Sequence, residues 1–124
     1  MKADSGPPVR RMKTYTGATG YVYQYYFVAK RPAPPPDIGA TEFVFDVTSD
    51  RKTTFSTSVF LQPEALAAWA AEHGRQLTET EQYAAAKMRL LKGFDETENM
   101  IQHGRRLVIG QENIDELLGP LGLD

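Results

Sequence analysis

Two short runs of alternating apolar and polar residues between Glu42 and Leu61 constrain the fold more than any other feature of this chain. The first run places Phe43, Phe45 and Val47 on one side, and the second run follows a polar break. A period of two puts alternate side chains on one face of a strand, and a short polar break between two such runs is typical of a hairpin. The pattern therefore predicts an antiparallel sheet in the first half of the chain.

An aromatic segment upstream predicts a second hairpin. A first strand is expected over residues 10–16 and a long strand over residues 21–30, joined through two glycines that can adopt positive φ. One face of the long strand would carry Tyr21, Tyr23, Tyr25 and Phe27, and the other Val22, Gln24, Tyr26 and Val28. Apolar groups on both faces predict a central strand. The proline-rich residues 31–37 predict an extended connection between the two hairpins.

Helical spacing begins at Pro63. Proline is well suited to a first helical position and glycine to a helix end, so a helix is expected from Pro63 to Gly74. Thr78 and Glu81 have the spacing of a capping box, which predicts the start of a second helix. An apolar stripe continues that helix to Phe94, and an extension toward residue 104 is left open.

The remaining chain predicts a short strand over residues 105–109 and a short helix over residues 111–118. The expected fold is therefore α+β, with the order ββββααβα. An antiparallel sheet of four to five strands, made of two hairpins, precedes two helices, a short strand and a short C-terminal helix. Residues 1–9 are expected to be a disordered leader and residues 10–124 a single domain.

The two periods each leave one apolar stripe, and each stripe must be covered. Packing of sheet against helices is therefore expected to join Phe43, Phe45, Phe55 and Val59 to Leu66, Trp69, Leu90 and Phe94. The second face of the aromatic strand would then stay exposed, unless the C-terminal residues 114–123 fold back over it.

Composition limits the classes of function. The chain has no cysteine, which excludes disulfides and thiolate metal sites. No apolar run approaches the roughly 20 residues of a membrane span, and no signal-peptide pattern opens the chain, so a cytoplasmic location is expected. Residues 1–61 hold eight Lys/Arg against five Asp/Glu, and residues 62–124 hold six against eleven. The predicted sheet is thus mildly basic and the predicted helices acidic.

No residue pattern predicts catalysis, a metal or a cofactor. His73 and His103 each precede a glycine, where an imidazole complements the negative end of a helix dipole, and neither has metal-ligand spacing. Asp46 lies in mid-strand on the face opposite Phe45, and if helices cover that face it is expected to need a partner such as Arg51 or Lys30. A small enzyme that uses Asp46, Arg51 or His103 is a third, weaker alternative.

The favoured function is a non-enzymatic binding or accessory domain that forms a homodimer or binds a protein partner, because tyrosines are common at interfaces. The alternative is a nucleic-acid-binding module, in which tyrosines stack on bases and basic residues hold phosphates. The candidate binding residues for these hypotheses, taken together, are Tyr21, Tyr23, Tyr25, Tyr26, Arg11, Lys30, Arg31 and Arg51.

Overall fold

The computed structural model describes residues 12–122, which form one five-stranded sheet with helices packed on one of its faces. The strands are β1 (Lys13–Thr16), β2 (Val22–Pro32), β3 (Thr41–Thr48), β4 (Phe55–Leu61) and β5 (Arg106–Ile109). The helices are α1 (Pro63–His73), α2 (Glu79–Glu96), α3 (Met100–His103) and α4 (Ile114–Leu118), and a 3₁₀ turn follows over Gly119–Leu121. The predicted α+β class and order of elements are confirmed, with α3 as an additional short helix. The predicted leader lies outside the described residues.

The strands are arranged in the order β1-β2-β3-β4-β5. The first three pairings are antiparallel, as predicted, but β5 runs parallel to β4. Loops of five to eight residues reverse the chain between the first four strands, whereas α1, α2 and α3 lie between β4 and β5. A helical crossover of this kind returns the chain in the same direction and produces a parallel pair. The sheet is therefore mixed.

The proline-rich segment is a compact hairpin loop, and the prediction of an extended connection is wrong. β2 and β3 pair directly, and at the base of their loop the backbone N–H of Ala33 donates to the carbonyl of Ala40 at 3.0 Å. Ala33 and Ala40 pack with Phe60 in a small apolar cluster. This burial closes the loop, so β1 to β4 form one continuous meander instead of two separate hairpins.

The helix boundaries confirm the sequence signals. Pro63 is in the first turn of α1, and Gly74 ends that helix with φ of 75°. At the start of α2, the backbone N–H of Glu81 donates to Thr78 Oγ1 at 3.1 Å, and the N–H of Thr78 donates to Glu81 Oε1 at 2.9 Å. Arg75 donates two hydrogen bonds to the Glu81 carboxylate. The bonds from Arg75 and Thr78 lower the pKa of Glu81 to about 2. The N-terminus of α2 is thus fixed by reciprocal hydrogen bonds.

The end of α2 explains why a glycine lies inside a helix. The helix stops at Glu96 and does not continue to residue 104, and α3 follows as a separate turn. Gly93 is buried, and a Cβ built there would lie 2.9 Å from Leu107 Cδ1. A side chain at this position would therefore push α2 away from β5. The helix propensity lost at Gly93 is offset by close packing of α2 on the sheet.

The predicted core is confirmed. The strand residues Phe43, Phe45, Phe55 and Val59 form one cluster with Trp69, Leu90 and Phe94, and Leu66 is partly buried against it. The C-terminal residues Ile114, Leu117 and Leu118 are buried in this same cluster. They therefore pack on the helical side and do not cover the other face of the sheet. Within residues 12–122, no helix is both long enough and apolar enough to cross a bilayer.

Candidate functional site

The strand register defines the face of the sheet that points away from the helices, here called the open face. Phe45 is in the core, so its neighbours Val44 and Asp46 point to the opposite side. The register places these residues on the open face: Val22, Gln24, Tyr26, Arg31, Glu42, Val44, Asp46, Thr48, Ser56, Ser58, Phe60, Arg106 and Val108. Because the helices pack on the opposite face, the open face is the broadest surface available for contact with another molecule.

A first row of hydrogen bonds crosses the middle of the open face. The hydroxyl of Tyr26 donates to Asp46 Oδ2 at 2.9 Å, and Ser56 Oγ donates to Asp46 Oδ1 at 3.4 Å. These three residues are direct partners on β2, β3 and β4. The helices do not cover Asp46, so the condition for a partner such as Arg51 or Lys30 is not met, and hydroxyls of the neighbouring strands bind this carboxylate.

A second row binds a buried carboxylate. Arg31 Nε donates to Glu42 Oε1 at 2.8 Å, and Ser58 Oγ donates to Glu42 Oε2 at 2.5 Å. The Glu42 side chain is only 5% exposed. The hydrogen bond from Arg31 lowers the pKa of Glu42, burial opposes this, and the bond from Ser58 lowers the pKa further. Glu42 is therefore held as a carboxylate inside an otherwise closely packed row.

A third pair occupies the end of the open face near the proline loop. Arg106 forms an ion pair with Asp37, and its guanidinium lies 4.9 Å from the ring centroid of Phe60. The two arginines of the open face, Arg31 and Arg106, are thus both paired with acidic side chains. The face carries charges of both signs and has no excess of unpaired basic groups among the described residues.

Of the two faces of the aromatic strand, the helices cover the one that carries Tyr23 and Tyr25. Tyr23 and Tyr25 are only 2% and 4% exposed, and their rings lie 4.2 and 5.8 Å from the ring of Phe94 in α2. Burial raises the pKa of both tyrosines. The helices cover this side of the strand because Phe27 and the aromatic residues of β3 extend the same apolar surface. Tyr23 and Tyr25 are thus unavailable for base stacking.

A β-bulge moves Lys30 away from the open face. The register shifts between Phe27 and Ala29, so Lys30 aligns with Phe43 on the helical side. Its ammonium lies 5.9 Å from the Phe43 ring centroid and 3.9 Å from Glu79 Oε1. Lys30 and Arg31 are therefore neighbours in sequence that serve opposite faces of the sheet. Arg11, another candidate, lies outside the described residues.

Arg51 lies in the β3–β4 turn at the other end of the open face. Its φ of 64° is in the left-handed region, which non-glycine residues rarely occupy. Asp50 Oδ1 stabilises the turn by accepting from the backbone N–H groups of Thr53 and Lys52, each at 2.8 Å. These two bonds lower the pKa of Asp50. The turn presents Arg51 to solvent close to Val22, so this candidate remains accessible.

Tyr21 borders a cleft of about 240 Å³ on the other side of this turn. The tyrosine is 50% exposed, and its ring centroid lies 6.1 Å from that of Tyr23. The cleft is lined by Tyr21, Tyr23, Ser49, Phe55, Glu98, Asn99, Met100 and Ile101. Its polar groups include the hydroxyls of Tyr21, Tyr23 and Ser49 and the carboxylate of Glu98.

One cluster of possible metal ligands is not predicted from the sequence. Glu72 and His73 at the end of α1 meet Asp115 of α4, and one ligand atom from each lies within 4.8 Å of the others. Glu72 and His73 are adjacent in the chain, but Asp115 is far away in sequence and arrives through the packing of α4. His73 occupies the last turn of α1 and His103 that of α3, as predicted.

No family model matches this chain, and searches of curated proteins and of solved structures likewise found no significant match.

Proposed function

We propose that this protein is a non-catalytic assembly domain that pairs through its open face with a second copy of the same chain. The observation that carries the proposal is the arrangement of helices on a single face of the sheet. The helices leave the opposite face as a candidate contact surface, on which Val44 and Phe60 are nevertheless only 8% and 7% exposed. Val22 is 46% exposed at one end of that surface, and Tyr26 is partly exposed at its middle. Apolar and tyrosine groups of this kind are favoured at interfaces.

The mixed charge of the open face favours a second copy as the occupant. In a two-fold interface, the same patch meets itself, so a patch of one sign would repel its partner. Arg31 and Arg106 share the face with Glu42 and Asp46. Nucleic acid would instead require basic groups that are free to neutralise phosphates. Because both arginines already pair with carboxylates, self-association is the better supported reading of this surface.

The polar rows also reduce the entropic cost of docking. Tyr26, Asp46 and Ser56 are fixed to one another by hydrogen bonds, as are Arg31 and Glu42. Side chains that are ordered before association lose less freedom when a partner binds. The open face is therefore preorganised, although most of its groups are polar.

The size of the surface predicts a weak dimer. The five strands contain 34 residues, and a rise of about 3.3 Å per residue with a strand spacing of about 4.8 Å gives roughly 500 Å² per partner. Burial of about 1,000 Å² in total is at the lower limit for a specific protein interface. Pairing through the sheet edges is less favourable, because β1 has only four residues and begins with Lys13. We therefore expect dissociation in the micromolar range and association at tens of micromolar.

Light scattering at tens of micromolar tests the proposal. The wild type should have twice the mass of the 13.9 kDa chain, and Val22→Glu should shift it to the monomer, because a charge would be desolvated in the interface. Leu121→Glu is the matched control, since Leu121 is 40% exposed but lies after α4. The control variant should remain dimeric.

A monomeric wild type at this concentration would refute self-association. Equal dissociation of the two variants would show that the open face is not the interface.

A further inference from the structure

The cluster of Glu72, His73 and Asp115 has the composition of a divalent-metal site, independently of the proposed assembly function. His73 Nε2 lies 3.4 Å from Asp115 Oδ1 and 3.7 Å from Glu72 Oε1. A zinc ion with bonds of about 2.1 Å in tetrahedral geometry separates its ligand atoms by about 3.4 Å. The two separations from His73 are therefore close to those around a bound ion, and the oxygens of Glu72 and Asp115 lie within 4.8 Å of each other. An imidazole with two carboxylates is a donor set that suits Zn²⁺ and Ni²⁺ better than Mg²⁺ or Ca²⁺.

The imidazole is held in position by the core. Its ring stacks on Trp69 with centroids 4.2 Å apart and an angle of 20° between the planes. The His73 side chain is only 18% exposed, whereas Trp69 is almost completely buried. The ring cannot turn away without losing this contact. A ligand fixed in advance reduces the ordering that a metal must impose.

Within residues 12–122, the imidazole of His73 is the basic group beside the two carboxylates of the cluster. Neither Glu72 nor Asp115 pairs with a lysine or arginine among residues 12–122. Glu116, the neighbour of Asp115, instead binds Lys92 at 2.7 Å. The cluster also lies at the C-terminus of α1, where the helix dipole favours a cation. Two carboxylates and the negative end of a helix thus meet at one imidazole, and this environment favours a cation.

We propose that Glu72, His73 and Asp115 bind one divalent ion of the Zn²⁺ type at the junction of α1 and α4. Three protein ligands leave a fourth position for water. Because the ligands come from two helices, the ion links the end of α1 to α4. Such a site stabilises the native fold in proportion to the free ion concentration, since the unfolded chain does not bring Asp115 to His73.

Calorimetric titration of the full chain with Zn²⁺ at about pH 8, where imidazole is neutral, tests this proposal. One ion per chain should bind. His73→Ala should lower the affinity by more than the roughly 10- to 100-fold caused by loss of a merely supporting partner. His103→Ala is the matched control, because His103 is exposed and also ends a helix but has no carboxylate of this cluster beside it. The control should bind like the wild type.

Trp69 provides a second readout, because it is the only tryptophan in the chain. Ni²⁺ bound to His73 should quench its fluorescence, and the quenching should saturate at one ion per chain. If His73→Ala does not fold, Asp115→Asn replaces it as the test variant, because Asp115 is exposed. Asp115→Asn should weaken both the binding of Zn²⁺ and the quenching by Ni²⁺. Absence of saturable binding, or an equal loss in His73→Ala and His103→Ala, would overturn the proposal.

Discussion

The two faces of the sheet achieve low solvent exposure by different physical means. On the helical side, Phe45 and Val47 are completely buried among other apolar groups. On the open face, Glu42 and Thr48 are only 4% and 6% exposed, although the helices pack elsewhere. Alternation along one strand therefore decides which side chains share a face. Alternation does not decide whether those side chains are buried by apolar packing or by hydrogen bonds.

The comparison separates two contributions to stability. Removal of apolar area from water stabilises the helical side by about 25 cal/mol per Å². The open face gains less in this way, since Val44 and Phe60 are buried there among polar groups whose burial is unfavourable unless they are hydrogen-bonded. Arg31 and Ser58 supply those bonds to Glu42. We expect substitutions on the helical side to cost the most, and substitutions on the open face to cost amounts that depend on pairing.

Adjacent residues on β3 give the largest contrast. Phe45→Ala should lower the free energy of unfolding by about 3–5 kcal/mol, because it opens a cavity in the core. Val44→Ala, the matched change on the open face, should cost about 1–2 kcal/mol through its smaller apolar loss. Denaturant unfolding measures both values. A similar cost for the two variants would show that the open face is packed like a core, and a loss below about 1 kcal/mol for Phe45→Ala would place that residue outside it.

The buried carboxylate should give an intermediate effect that depends on pH. Glu42→Gln should cost about 1–2 kcal/mol near neutral pH, limited because the Arg31 side chain is 58% exposed and solvent screens the pair. The native pKa of Glu42 is lowered, so its contribution is complete above the unfolded value of about 4.3 and is lost as pH falls through the native pKa.

Unfolding curves for the wild type and Glu42→Gln, recorded from neutral to acidic pH, measure this effect. The difference in stability between the two proteins should shrink on acidification. A difference that stays constant across the acid range would mean that Arg31 does not stabilise the charged form of Glu42.

The smallest effect should come from the hydrogen bonds to Asp46. Tyr26→Phe removes a bond of 2.9 Å, and Ser56→Ala removes one of 3.4 Å to the same carboxylate. We expect a loss of about 0.5–1 kcal/mol for Tyr26→Phe and less for Ser56→Ala, because the longer bond is weaker. Thermal unfolding of both variants provides the comparison. The reverse order would indicate that Ser56 is the main partner of Asp46.

Local signals predicted the parts of the fold that depend on neighbours in sequence. Thr78 and Glu81 form the capping box because both partners lie within one helical turn. Gly74 ends α1 because a left-handed residue is needed there, and glycine adopts that conformation without strain. The core residues followed from the two periods, since each apolar stripe needs a cover.

Tertiary contacts account for what the sequence did not show. The bulge after Phe27 reverses the face of Lys30, and a one-residue shift leaves no clear trace in the alternation. Tyr23 and Tyr25 were assigned to a binding face because alternation cannot tell which side the helices cover. The meeting of Asp115 with His73 depends on the docking of α4.

The parallel pairing of β5 has a consequence for how this chain folds in time. Each earlier strand pairs with its sequence neighbour across a short loop, whereas β5 reaches β4 only after the chain has passed through three helices. Closure entropy grows slowly with loop length, so this pairing costs only moderately more free energy at equilibrium than a hairpin does. Long-range contacts nevertheless form slowly. We therefore expect the pairing of β5 with β4 to form late in folding. The cause of this delay is the route of the chain more than the strength of the contacts that β5 makes.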